Sequence, residues 1–315
     1  MFLLLTAVSI VTFVLVNRSP LNPLQENVGQ TLLGSMSAEQ IEKLETYWGM
    51  KEPPVQRYLN WARDFLRGDM GVSLLYRQPV SHVIAVKLSN SFLLLLIAWL
   101  LSGIFGFFLG ILAGIFRGTW IDRIIRGYSV LIASTPAFWL ALLFLLVFAV
   151  WLKVLPIGFS VPIGVEATGV TVLERLRHAI LPAVTLGITG ISNITLHTRE
   201  KMIDVLESDY VLFAKARGER MRTIVVRHGF RNILLPAMTL QFAAISEIIG
   251  GSVLVEQVFS YPGLGQAAVT AGMGSDVPLL MGITIVTAAI VFLGNSIANI
   301  LYGFIDPRMR EGERR

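Results

Sequence analysis

Glu247 is the residue whose position asks most for an explanation. It stands in QFAAISEIIGG, within 24 residues, 232–255, that carry no other formal charge. A carboxylate inside such an apolar stretch costs a few kcal/mol, about 2.5–3.5 on insertion scales, and is normally kept facing a polar cavity or a partner. His197, Asn193, Ser192, Ser246, Gln241, Asn295 and Asn299 also lie within uncharged stretches and could join it in a polar path. For the Asn, Ser and Gln side chains, hydrogen bonding between helices is the plainer use. Glu247 itself is equally open to lining a pore or to a buried pairing with Arg or His. A His and a carboxylate would guide a cation. This is the chemistry of passage, because the residue types needed for turnover do not occur together. There is no GxxxxGK[ST] phosphate loop, no HExxH, no acidic run fit for a metal and no cysteine. GLGQAA at Gly263 echoes a dinucleotide fingerprint but follows no strand. No catalytic residue and no metal site is assigned, and the chain has no means of hydrolysing ATP alone.

A second constellation is REKMIDVLESDYVLFAKARGERMRTIVVRHGFR, residues 199–231. It is polar enough to be aqueous, yet Val205, Leu206, Tyr210, Phe213 and Ala214 leave an apolar stripe that a solvated loop does not need. Something should dock there. Gly218 permits a sharp reversal, and Pro236 is expected to restart the next helix. The bland alternative is an ordinary basic loop that serves topology only.

The elements that position these residues follow from composition. Of 315 residues 54% are hydrophobic and only 15% charged, too few to cover a water-facing surface. Mean hydropathy is +0.67. A soluble enzyme is excluded as a starting point. Charge-free runs cover 88–116, 127–152 and 277–305, each longer than the roughly 20 residues a bilayer needs. With 2–17, 178–198 and 232–255 they make six expected spans, in an all-α integral membrane protein with a single transmembrane domain over 1–315. Lys and Arg sort the loops: fifteen fall in 117–126, 199–231 and 306–315, against three in 153–177 and 256–276. That bias places both termini in the cytoplasm. The net charge of +5 and the pI of 9.6 then read as topology, with membrane lipid and not nucleic acid as the environment. The first segment is short. A signal peptide would need a basic leader and a small-residue cleavage site, so a retained helix whose true start lies upstream is expected.

The outer loop, 18–87, should fold. Ser37 and Gln40 make a capping box for a helix with Ile41, Leu44 and Trp48 on one face and Gly49 at its end. PVQRYLNWARDFLRG places Val55, Tyr58, Leu59, Ala62 and Phe65 at helical spacing, ending at Gly68. These helices either pack on the bundle or meet an extracytoplasmic partner. Gly103, Gly106, Gly110 and Gly114 share nearly one helix face and should let a neighbour approach closely. Pro136 in STPAFW should kink its span.

These motifs resemble the ABC-importer permeases of the peptide, nickel and opine uptake family. DYVLFAKARG from Asp209 to Gly218, then His228, Arg231, Asn232 and LLP ending at Pro236, match its coupling loop. GMKEPPVQRYLNWARDFLRGDMGVSLLYRQPV matches its outer segment, STPAFWLALL its third span, VEQVFSYPGLGQ with DVP its last outer turn, and GFIDPRMR its C-terminal signature. The order spans almost the whole chain. One departure is at Leu196, where the family has an Arg; here His197 follows instead.

The resemblance implies a type I ABC-importer permease fold and a subunit forming half of a translocation pathway. The substrate would be peptides, nickel or a metal chelate, with Glu247 closer to the nickel-type branch. It implies a second homologous permease, two cytosolic ATPases and an extracytoplasmic substrate-binding protein. It implies no cofactor on this chain, with ATP and Mg on the ATPases. It implies a multi-pass place in the cell membrane of a bacterium or archaeon. Asp209, Tyr210, Phe213, Ala214, Ala216, Gly218, His228, Arg231, Asn232 and Pro236 would couple to the ATPases. Glu247, His197, Asn193, Ser246 and Gln241 would line the path. Ala214→Asp with Gly218→Val is expected to insert stably but lose its response to the ATPase. The alternative is a stand-alone secondary transporter or channel, although neither inverted repeats nor interrupted midplane helices show in the sequence.

Overall fold

The computed structural model describes residues 1–19, 23–47, 52–160 and 170–305. Among them the regular structure is helical, with one isolated antiparallel bridge, Val72–Pro79, and no strand. The helices are α1 (Phe2–Asn17), α2 (Pro23–Val28), α3 (Gln30–Ser35), α4 (Ala38–Tyr47), α5 (Pro54–Leu66), α6 (Val80–Ile115), α7 (Trp120–Ala133) and α8 (Ala137–Phe144). They continue as α9 (Val172–Leu206), α10 (Asp209–Ala216), α11 (Met221–Ile224), α12 (Arg231–Ala243), α13 (Ile245–Val258), α14 (Leu264–Met273) and α15 (Val277–Ile305). Wider π-helical turns, Leu145–Trp151 and Val225–Phe230, extend α8 and join α11 to α12. Trp48, Gly49 and the DPR signature at 306–308 lie outside the described residues.

Each expected apolar segment is occupied by helix. α6, α9 and α15 are each long and apolar enough to cross a membrane, and the bent pairs α7–α8 and α12–α13 bring the number to five if each pair is one span. α1 is a shorter apolar helix of 16 residues.

One expectation is corrected and two are extended. At Pro136 the expected kink is a bend of 104° that separates α7 from α8. The hydroxyls of Ser134 and Thr135 bond back to the carbonyls of Val130 and Leu131, satisfying the last turn of α7, and Pro136 offers no amide to continue it. Pro236 does not restart a helix; it sits inside α12, which Arg231 opens. The helical run also extends past 198, because α9 continues to Leu206. In that extension Met202 is buried and Val205 and Leu206 pack beside it, while Glu200 and Lys201 remain exposed, so helical periodicity persists.

The chain divides into two compact units, 1–91 with 262–290, and 92–261 with 291–315. In the first, Val80, Val83, Ile84, Leu264, Ala271 and Ile283 form a core. Asp276, fully buried, accepts from Ser73 Oγ at 2.5 Å and from the amides of Leu75 and Leu279 at 3.1 Å each, so its buried carboxylate is hydrogen-bonded through both oxygens. The Ser37–Gln40 capping box of α4 is formed in both directions. α5 lies against α1 through Ser9–Tyr58 at 2.8 Å, the Phe13 and Tyr58 rings and an Arg57–Asn17 bond. Its apolar residues therefore divide, with Tyr58, Ala62 and Phe65 partly covered and Val55 and Leu59 exposed.

In the second unit the glycine face of α6 meets α9. A Cβ at Gly106, Gly110 or Gly114 would come within 2.8, 2.5 or 2.6 Å of the Cβ of Ile194, Thr198 or Met202. α9 reciprocates with Gly190, opposite Ser102. Association in lipid relies on such close packing because tails and Leu side chains are equally apolar. Gly103 faces the side chain of Gln241 on α12.

Candidate functional site

Two sites emerge in the second unit. At the first, α10 is a two-turn helix whose residues point in opposite directions. Val211 and Ala214 are buried with Ile224 against Val205 and Leu206. Leu212 and Phe213 are 66% and 74% exposed, and Tyr210 is exposed beside them. The stripe read from the sequence is thus split: Val205, Leu206 and Ala214 hold the helix in place, while Tyr210 and Phe213, joined by Leu212, remain to be covered.

Beyond α10, Gly218 takes φ +79°. Its amide donates to the Lys215 carbonyl at 2.9 Å and the Glu219 amide to Ala214 at 3.1 Å, closing the helix end. Asp209 and Ala216 are exposed at the ends of α10. The later motif residues return to the helix. Asn232 Nδ2 donates to Tyr210 Oη at 3.2 Å and to the His228 carbonyl at 2.8 Å, and the His228 ring lies 5.9 Å from that of Tyr210. His228 Nε2 is 3.6 Å from Glu219 Oε2. Arg217 donates to Glu219 at 2.5 Å, and this hydrogen bond holds the Glu219 carboxyl below its usual range. Tyr210, His228 and Asn232 therefore form one polar cluster. Pro236 lies one turn further along α12, and the Arg231 side chain is outside the described residues.

No signal in the sequence points to the brace at the start of α7. Arg199 on α9 donates through Nε to Asp122 Oδ1 at 2.6 Å and through Nη2 to Oδ2 at 2.8 Å, and the Gly118 amide adds 2.9 Å. Asp122 sits in the first turn of α7, where a negative charge suits the helix dipole. In the sequence both residues were only loop charges.

At the second site α7, α8, α9 and α13 enclose a cleft of about 230 Å³. Asn193 Nδ2 donates to both carboxylate oxygens of Glu247, at 3.0 and 3.2 Å, and both residues line the cleft with Thr135, Ala137 and Thr189. The break at Pro136 thus opens beside Glu247. The other expected path residues lie elsewhere. Gln241 is buried between helices, its Nε2 donating to the Trp99 carbonyl at 2.5 Å and to Ser102 Oγ at 3.2 Å. Ser246 bonds the Ala243 carbonyl at 3.1 Å, and His197 is exposed one turn beyond Asn193. None of these three lines the cleft.

Residues 106–311 match the family model described as the binding-protein-dependent transport system inner membrane component. The chain belongs to this family. It is accordingly the membrane-embedded permease subunit of an ABC importer, of the peptide and nickel branch, with the all-α type I permease fold and a multi-pass place in the bacterial inner membrane. Hydrolysis is the work of a partner ATPase, so the permease is not itself an enzyme. Among its relatives is the oligopeptide transport system permease protein AppB of Bacillus subtilis, 34% identical over 309 residues, covering 97% of this permease and 95% of that protein. Another is the di/tripeptide transport system permease protein DppB of Pseudomonas aeruginosa, 31% identical over 319 residues, covering 96% and 94%. The matched region begins in the glycine face of α6 and includes α10, the brace and the cleft.

Proposed function

We propose that this permease forms one half of a peptide translocation pathway, paired with a second homologous permease. It crosses the membrane six times, α1 included, with both ends in the cytoplasm. Two cytosolic ATPases, which carry the ATP and Mg, bind beneath, each gripping one coupling helix, and a binding protein delivers peptide to the outer mouth. This chain holds no cofactor of its own.

The observation that carries this reading is the exposed Leu212–Phe213 face on a helix anchored from behind by Val211 and Ala214. A push on α10 reaches α9 through Val205 and Leu206, and α7 through the Arg199–Asp122 brace. Asn193 lies six residues before Arg199 on the same helix, about 9 Å at 1.5 Å per residue. Closure of the ATPases is thereby passed to the cleft, which alternates between inward-open and outward-open states. The names of both relatives above support peptide as the substrate. A cationic metal chelate is the second reading, supported by the Glu247 carboxylate in the cleft.

The discriminating experiment is uptake into proteoliposomes holding the purified complex, with labelled tripeptide and labelled nickel in parallel. ATP-dependent peptide accumulation without nickel accumulation is expected. Nickel alone would reverse the assignment. A permease that transports without co-purifying ATPases would instead be a stand-alone carrier.

A further inference from the structure

We infer that Glu247, held by Asn193, is the counter-charge that receives an ammonium group of the substrate. This rests on the peptide reading above. Among the described residues, Glu247 is the one charged residue lining the cleft, and no Lys, Arg or His stands in its wall. The last turn of α7, at Ile132 and Ala133, is also part of that wall. A helix C-terminus carries partial negative charge. Ala137, which opens α8, and Ala244, which precedes α13, bring two helix N-termini to the same wall, so the helix ends offset one another and the Glu247 carboxylate is the charge that favours a cation. Leu186, Ile248 and Ala244 add apolar surface to the wall, and Glu247 is exposed at the cleft, open to an incoming cation.

The bonding of Glu247 leaves it able to act. A carboxylate offers about four lone-pair sites, and the single Asn193 amide nitrogen uses part of them while fixing the side chain in place. A metal ion is the poorer occupant, because no group of three or more His, Cys, Asp or Glu suited to a metal occurs among the described residues. The volume of about 230 Å³ is below the roughly 300–1,000 Å³ of a complete ligand pocket, so it fits one end or one side chain of an extended substrate. An ammonium is the group of a peptide that meets these terms, from its N-terminus or from a lysine.

The test uses proteoliposomes with the whole transporter and two peptides, Ala-Ala-Ala and Ala-Lys-Ala. Glu247→Gln keeps the shape and can still accept from Asn193, but removes the charge. It is expected to lower uptake about tenfold or more, the loss typical of a charge-assisted hydrogen bond. The double variant Glu247→Asn with Asn193→Asp returns the carboxylate to the other side of the cleft and is expected to restore uptake to within about threefold. Loss with both peptides assigns the N-terminal ammonium; loss with Ala-Lys-Ala alone assigns the lysine. Wild-type uptake of both peptides by Glu247→Gln overturns the inference, as does a double variant no better than Glu247→Gln. Failure of the peptide reading is distinct, because the wild-type transporter itself would then take up neither peptide.

Discussion

Arg199 holds Asp122 by two parallel hydrogen bonds, of 2.6 and 2.8 Å, tying the C-terminal part of α9 to the first turn of α7. The side chains are 14% and 4% exposed, so each charge depends on the other for its solvation. Breaking one partner of such a buried pair is expected to cost about 3–5 kcal/mol. Asp122→Ala should lower the thermal stability of the solubilised complex accordingly. The Arg117–Glu207 bridge nearby is 54% and 65% exposed, and Arg117→Ala should cost below about 1 kcal/mol. Equal losses would deny the brace its special part.

Gly110 meets Thr198 so closely that an added Cβ would stand 2.5 Å from its Cβ and 2.7 Å from the Thr195 carbonyl. Gly110→Val should destabilise by about 1–3 kcal/mol through overpacking. Gly127, inside α7, has nothing within 4 Å of such a Cβ, and Gly127→Ala should be neutral or stabilising by up to about 1 kcal/mol. Unfolding of the two variants in detergent checks the contrast.

Gly218 also has open space around it, so the cost of replacing it comes from the backbone alone. At φ +79° an L side chain costs about 1–2 kcal/mol. Gly218→Ala should leave the permease inserted while loosening the closure of α10. Uptake should fall at an unchanged membrane level; unaltered uptake would show that the reversal is not needed.

Glu219 gives the loop a pH dependence. The Arg217 hydrogen bond, with burial opposing it and the charges of Arg217, His228 and Arg227 assisting, lowers its carboxyl from the usual 4.5. A lowered carboxyl contributes stability above its unfolded value and loses it as the pH falls through the folded one. The wild type should therefore lose its stability advantage over Glu219→Gln only below about pH 4.5, which a pH series of melting temperatures measures.

Much of this was legible in the residues. Charge-free runs marked the spans, Ser37 and Gln40 marked a helix start, and the glycine spacing marked the α6–α9 contact. The DYVLFAKARG motif marked α10, because its positions satisfy a local rule of helix and reversal. What was not legible depended on partners distant in sequence. Asp122 and Arg199 are 77 residues apart and looked like ordinary loop charges. Gln241 could line a path or bond between helices, and its actual partner, the Trp99 carbonyl, lies 142 residues away. Ala214 looked accessible but is 2% exposed, so Ala214→Asp would bury an unpaired charge and is no longer expected to give a stable protein. A clean test of coupling must therefore fall on Leu212 and Phe213.

That test is the most direct one for the proposal as a whole. The permease carrying Leu212→Asp and Phe213→Asp, assembled with its partners in proteoliposomes, is assayed for hydrolysis and uptake driven by substrate-loaded binding protein. Both residues are exposed, so normal insertion is expected. Loss of a central apolar contact of this kind should lower stimulated hydrolysis and uptake by about tenfold or more. Uptake at the wild-type rate with both aspartates in place would contradict the coupling role of α10.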